Sequence, residues 1–361
     1  MSSAAGQVPA PVSSRDLWLR RLLGAPGVLL DVLEPRPTHP PSGALTPVDV
    51  WPMVRAGARW PEAALALEED LHYHLHDDDV LAYQRRRGTA FAIGGLNSGD
   101  VEGLLRTFAS HAGHQGLRRM LVFPVRETQR AAVHAAGFSS VQVGVEAWLD
   151  LAELSFRGRR YESVRQMRNR ARRRGVTSEE VPQTGLDDVR DELAAIHASW
   201  LAGKRPSWRM KLLVGSPGLE QPFDRRYLVA RTAQRIEAFC TLLPGADGQW
   251  GVDVMCRRPD AVRGAMEHLL MHAVEQLRAE GAETLSLGPC PMAGVDRGEH
   301  ALERVFRGLY ASSWGNQLFG FRNLHRFKSK FRPRWEPVYF ASSPRLGVFS
   351  LYAGCRMWGL Y

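Results

Sequence analysis

At 361 residues, 44% hydrophobic and 24% charged, the chain is long enough for two domains and a sizeable core, and it is neither fibrous nor low-complexity. No apolar run reaches the ~20 residues needed to span a bilayer, and Cys240, Cys256, Cys290 and Cys355 lack the spacing of a disulfide framework or zinc site, which fits a reducing cytosol. The net charge of +9 is uneven: residues 157–176 hold nine arginines against Glu162, residues 322–334 hold six lysines and arginines with no acid, and the remainder is net acidic. Two basic blocks on an acidic body form a footprint for a polyanion, whether RNA, DNA or an anionic membrane surface.

Residues 1–47 are polar and proline-rich, with a short helix over 15–23 capped by Ser14; folded structure is expected from 48. Residues 71–76 alternate apolar side chains with His72, His74 and His76 and run into Asp77, Asp78 and Asp79. With no distant ligand at a set spacing, this pattern reads as a solvated strand face entering a turn rather than a metal site. Residues 80–84 and 89–93 predict a hairpin. A helix over 100–116, a strand over 119–125, a helix over 127–136 and a strand over 141–149 complete a first domain, 48–156.

Residues 157–176 predict a basic linker helix. Tyr161, Val164, Met167 and Ala171 make a narrow apolar stripe, and arginines including Arg165, Arg168, Arg172 and Arg173 cover the rest. Each guanidinium offers a forked donor set for phosphates, and the scarcity of acids favours nucleic-acid contact over a merely solvated helix.

A second domain, 177–342, is expected to hold a helix over 187–201, a hairpin over 227–231 and 237–242, and then the central stretch 249–288. That stretch predicts a strand over 250–255, a loop, a helix over 266–281 and a strand over 284–287. A helix following a strand aims its free N–H groups at an anion or a carbonyl oxygen. The loop from Arg257 to Gly264 has one glycine, whereas a pyrophosphate cradle is glycine-dense, so acetyl-CoA is not the expected donor. Residues 289–294 read as a loop at a strand's C-terminal end, and 299–310 as a helix. Residues 343–361 form an apolar tail that either packs back on the second domain or touches a membrane interface.

The strings VDVM, RRPDAVRGAMEHLL, LGPCPMAGV and GNQLFGFRNLHRFKSKFRPRWEPVYF, together with DDDVLAYQ and SVRQMRNRARRRG, resemble the catalytic domain of phosphatidylglycerol lysyltransferases. The resemblance spans roughly residues 48–341. It implies an α/β fold of two tandem GNAT-like acyltransferase domains joined by the basic helix. It also implies transfer of an amino acid from aminoacyl-tRNA to a hydroxyl of a membrane lipid such as phosphatidylglycerol. The flippase domain that precedes this module in many members has no counterpart in this sequence. Members usually carry arginine directly after Asp-x-Met; here Cys256 holds that place and Arg257 follows, which bears on the amino acid and lipid used.

An aminoacyl ester is already activated, so the site has chiefly to position it and accommodate charge in the tetrahedral intermediate. Asp253 is the candidate for the α-ammonium or the attacking hydroxyl, and Glu267 for a cationic side chain, with a helix-dipole role as its rival. Arg257, Arg263, Gly264, Gly288, Cys290, Lys328 and Lys330 are candidates for holding substrate. Phe321 and Trp335, with Phe327 and Phe331, are candidates to stack a terminal base, or are core residues on an inward strand face. Arg165, Arg168, Arg172, Arg173, Arg326 and Arg332 are the candidates for tRNA contact. No metal and no cofactor are expected. Expected partners are aminoacyl-tRNA, a lipid acceptor and an anionic membrane touched peripherally at its inner face; the oligomeric state stays open. A tandem transferase acting on a peptide-type amine, or a non-catalytic RNA-binding relative, would carry many of the same features.

Overall fold

Strand Thr89–Ile93 is buried at every position, so the sheet around it needs apolar cover on both faces. The computed structural model, which describes residues 44–86, 88–202, 216–295, 301–311, 321–344, 347 and 350, supplies that cover as helix, sheet and helix layers. The helix expected over 15–23 and, apart from Ser350, the tail from 348 lie outside the described residues. Ser350 is buried and shares a 3.0 Å hydrogen bond with Ser342.

The first half opens with α1 (Pro47–Gly57), started by a capping box: the Thr46 hydroxyl accepts from the Asp49 N–H, and the Asp49 carboxylate accepts from the Thr46 N–H. A 3-10 turn (Pro61–Leu67) follows, then β1 (His72–His76), β2 (Asp79–Arg86), β3 (Thr89–Ile93), α2 (Val101–His114), β4 (Arg119–Arg126), α3 (Arg130–Ala135) and β5 (Ser139–Asp150). The basic linker is α4 (Glu162–Arg173), seated by Val164 and Ala171. The second half runs β6 (Thr177–Val181), α5 (Leu186–Ala202), β7 (Arg226–Arg231), β8 (Ile236–Pro244), β9 (Gln249–Arg257), α6 (Ala265–Ala279), β10 (Thr284–Pro291), α7 (Ala301–Ala311), α8 (Phe321–Ser329) and β11 (Arg334–Ser343).

The eleven strands among the described residues form one sheet in the order β1-β2-β3-β4-β11-β5-β10-β9-β8-β7-β6. Each half carries one parallel pair with a helix crossing between its strands, β3 with β4 and β9 with β10. The remaining neighbours are antiparallel. At the centre the halves exchange their last strands. β11, from the end of the second half, is inserted between β4 and β5, while β5, from the end of the first, lies between β11 and β10. Chain order puts the strand ending near 342 with the second half; in the sheet both of its neighbours, β4 and β5, belong to the first.

Two local expectations change. Residues 289–291, read as loop, continue β10 after an irregularity between Ser286 and Pro289 and pair with residues 144–146 of β5. Past Ser286 the strand has a neighbour on the β5 side alone, so prolines lacking a ladder N–H are tolerated there. Of the four aromatics offered for base stacking or an inward strand face, Phe321 and Phe327 lie on helix α8, Phe331 lies in the turn after it, and Trp335 alone is on a strand, β11.

Candidate active site

The parallel strands β9 and β10 are paired only where Gln249–Gly251 faces Thr284–Ser286; beyond that point they separate. The 3-10 turn of the first half fills the near side of the opening. A Cβ on Gly251 would stand 2.5 Å from Pro61 Cβ, so glycine is what lets the turn dock on β9. The resulting cleft, about 660 Å³ including its open mouth, takes walls from both halves: Glu62, Glu146, Asp253, Ser286, Gly288 and Pro289 among them.

Three buried cations hold this cleft together. Arg126, at the end of β4, binds Glu62 at 2.5 Å and Glu146 at 2.7 Å and lies 4.0 Å over the Trp60 ring. Glu146 also accepts from the Ser286 hydroxyl at 2.5 Å, and that hydroxyl in turn accepts from the Gly288 N–H at 2.9 Å. Arg225, just ahead of β7, donates to Asp253 at 3.2 Å and to Glu68 of the first half at 3.4 Å. Lys328, on α8, is buried and donates to the carbonyls of Gly288 at 2.9 Å and Pro289 at 3.0 Å.

Burial sets the electrostatics. It pushes the carboxyls of Glu62, Glu68 and Asp253 above the usual range, against the opposing pull of Arg126 on the first and Arg225 on the other two. Burial likewise pushes the Lys328 ammonium down, with Cys290 and Glu146 opposing. Each of the four carboxyls, Glu62, Glu68, Glu146 and Asp253, is thus matched to a buried arginine.

The other candidates are distributed around this cleft. Glu267, in the first turn of α6, is buried and paired with Lys330 at 2.8 Å, away from the cleft walls. Gly264 caps α6 in the left-handed region at φ 96°, and a Cβ there would fall 2.1 Å from the Met167 carbonyl oxygen of α4; its glycine serves helix packing. Cys290 packs with Val145 and Ala293, and burial raises its thiol above the ordinary range. Phe331 is fully buried; Phe321, Phe327 and Trp335 are half-buried, with Trp335 stacked on His325 at 4.5 Å. None of the four is therefore exposed.

Of the arginines, Arg165 turns inward onto the carbonyls of Phe156 and Gly158, and Arg168 pairs with Glu275 at 2.6 Å. Arg172, Arg173, Arg257, Arg263, Arg326 and Arg332 are exposed. Arg332 Nε approaches the Arg160 carbonyl at 3.4 Å, which brings its loop beside α4.

The model of the family described as phosphatidylglycerol lysyltransferase, C-terminal, matches residues 53–342. This chain belongs to that family. The phosphatidylglycerol lysyltransferase of Bacillus subtilis (strain 168) is 26% identical over 276 residues, 74% of this chain and 32% of that protein. That of Staphylococcus xylosus is 25% identical over 288 residues, 75% of this chain and 32% of its own length. The chain thus spans about a third of the curated relatives it matches.

Two solved structures share the fold. L-PGS from Bacillus licheniformis has a TM-score of 0.68 at 18% identity, covering 85% of this chain and 96% of that one. FemX has a TM-score of 0.50 at 11% identity, covering 82% and 96%. Among the described residues of this phosphatidylglycerol lysyltransferase C-terminal family member, no helix is long and apolar enough to cross a membrane.

Glu62, Arg126, Glu146 and Arg225 were not among the expected site residues. The signal was present for Glu146, a lone carboxylate in the otherwise apolar run VGVEAWL. For Arg126 and Arg225 the partners lie 20 to 157 residues away in sequence, and no spacing rule reaches that far.

Proposed function

We propose that this protein is an aminoacyl-tRNA-dependent transferase that places an amino acid on a hydroxyl of a membrane lipid of the phosphatidylglycerol type. The observation that carries this reading is the cleft where β9 and β10 separate, with Asp253 and Glu146 held by buried arginines. Asp253 receives the α-ammonium of the aminoacyl group. The lipid hydroxyl attacks the ester carbonyl, the tetrahedral oxyanion forms, and the terminal ribose hydroxyl leaves with the proton the attacking hydroxyl gives up. Lys328 has three N–H donors and uses two on backbone carbonyls; we assign the third to the developing oxyanion.

Donor type follows from the loop ahead of α6. Its single glycine packs against α4, so no run of backbone amides is left to cradle a pyrophosphate. Arg257 and Arg263 instead meet the terminal phosphates of a tRNA acceptor end, and Arg172, Arg173, Arg326 and Arg332 its backbone. Incubation with a mixture of charged tRNAs and total lipid tests the reading. A new ninhydrin-positive lipid, lost in Asp253→Asn, is expected; aminoacylation of a peptide amine instead, or hydrolysis alone, would overturn the lipid acceptor.

A further inference from the structure

Helices α4 and α6 meet closely because residue 264 lacks a Cβ, and along the seam between them Arg168, Arg172 and His272 act on the charge of His268. Arg168 and Arg172 stand one turn apart on α4, and His268 and His272 one turn apart on α6. His268 Nδ1 is joined to the Ser178 hydroxyl of β6 at 2.7 Å, which fixes the ring and leaves Nε2 without a partner among the described residues.

One acid enters the seam: Glu275 of α6, taken by Arg168 at 2.6 Å. Further along the helix, Glu180 of β6 and Glu280 are both bound by Arg226 of β7. β8 and β9 turn apolar side chains, Ala238, Cys240, Leu242 and Val252, toward α6. Arg172 therefore has no acid among the described residues, and its charge falls on His268. Burial lowers the His268 pKa first, and Arg168, His272 and Arg172 lower it further while Glu275 opposes them.

We propose that this seam is a proton-linked subsite for one phosphodiester of an RNA backbone; the identity of that RNA as the acyl donor rests on the function proposed above. Arg168 and Arg172 take the phosphate oxygens. The arriving negative charge offsets the two guanidinium groups, His268 takes one proton from solvent, and its Nε2–H then donates to the phosphate while Nδ1–H stays on Ser178. RNA is favoured over a lipid surface because a membrane contact needs apolar side chains at its edge. The exposed large hydrophobic residues among those described, Leu45, Val48 and Leu75, all belong to the first half of the chain.

The test uses the full chain and a labelled RNA hairpin with a single-stranded 3′ end, titrated at constant ionic strength from pH 8 to pH 5.5. Affinity is expected to rise as pH falls, and calorimetry in two buffers of different ionisation enthalpy should show uptake of about one proton. His268→Gln, which keeps a group able to meet Ser178, should bind within about twofold of the parent at pH 8 and lose the pH dependence. Arg172→Gln should weaken binding at every pH and lower the salt slope by about one. RNA binding with an unchanged pH dependence in His268→Gln, or with no proton uptake by the unaltered protein, overturns the subsite and leaves the tRNA reading standing. No RNA binding at any pH overturns both. Binding to phosphatidylglycerol vesicles that follows His268 while RNA binding does not would transfer the subsite to lipid and overturn the proposal as stated.

Discussion

Arg225 Nε donates to Asp253 at 3.2 Å across the intervening strand β8, while its terminal nitrogen reaches Glu68 in the other half of the chain at 3.4 Å. One guanidinium thus ties the catalytic candidate to the opposite wall of the cleft. Removing it leaves two buried carboxylates without a counter-charge, which costs on the order of 3–5 kcal/mol. Arg225→Met should show that loss in urea unfolding. Arg225→Lys should recover only part of it, because an ammonium cannot reproduce the fork that serves both acids. Loss of the same size in Arg225→Lys and Arg225→Met would mean the fork geometry contributes nothing.

Gly264 gives a second prediction. Its φ of 96° is costly for any residue with a Cβ, by roughly 1–2 kcal/mol. The added methyl would also stand 2.1 Å from a backbone oxygen, which cannot swing aside as a side chain can. Gly264→Ala should destabilise by about 2–4 kcal/mol and loosen α4 from α6, read as faster amide exchange in α4. A change below about 1 kcal/mol would mean that the helices separate freely.

Local periodicity made most elements legible. The short run of residues 89–93 and the apolar spacing of Met266, Leu269, Leu270, Ala273 and Val274 match β3 and α6; residues 71–76 form a strand as expected, but there Leu75 is exposed while His72, His74 and His76 are half-buried. Two things were not legible. Period-two alternation in β5 and β11 says which side chains face the core, but nothing about which strand lies alongside, so the exchange at the sheet centre was hidden. The charge pairs of the cleft were hidden for the same reason, since Glu62 meets Arg126 only once the first half has folded, and Glu68 meets Arg225 only once the two halves have come together. Asp253, by contrast, could be singled out because it sits in a short apolar strand next to a helix start.

The histidines of β1 predict an acid-sensitive edge. His74 lies 5.1 Å from the His111 ring and bonds to the Thr107 hydroxyl at 3.0 Å; burial, then His111 and His76, push its pKa from 6.5 to about 4. Between those values the unfolded chain binds more protons than the folded one. The stability conferred by neutral His74 is therefore complete above about pH 6.5 and is lost as pH falls toward about 4. In melts from pH 7 to pH 4, the parent should lose stability faster than His74→Gln. Parallel curves would show that His74 does not titrate within this window.

The exchange of β5 and β11 makes the sharpest prediction about folding. In a fragment covering residues 44–156, β4 would lack β11 and β5 would lack both of its neighbours, exposing Val338 and Phe340 contacts on one face and Tyr339 and Ala341 contacts on the other. A fragment covering residues 157–350 would present β10 without β5 and would leave β11 with no strand on either side. An unpaired central strand leaves a row of backbone N–H and C=O groups unsatisfied beside an open apolar surface, a combination that favours aggregation over folding. Each fragment alone should therefore give a circular dichroism spectrum without a cooperative melt. The two mixed during refolding should regain one, because each carries the strand the other lacks. A cooperative melt from either fragment alone would show that β5 and β11 can pair within their own half, and that the continuous sheet is not what holds the cleft together.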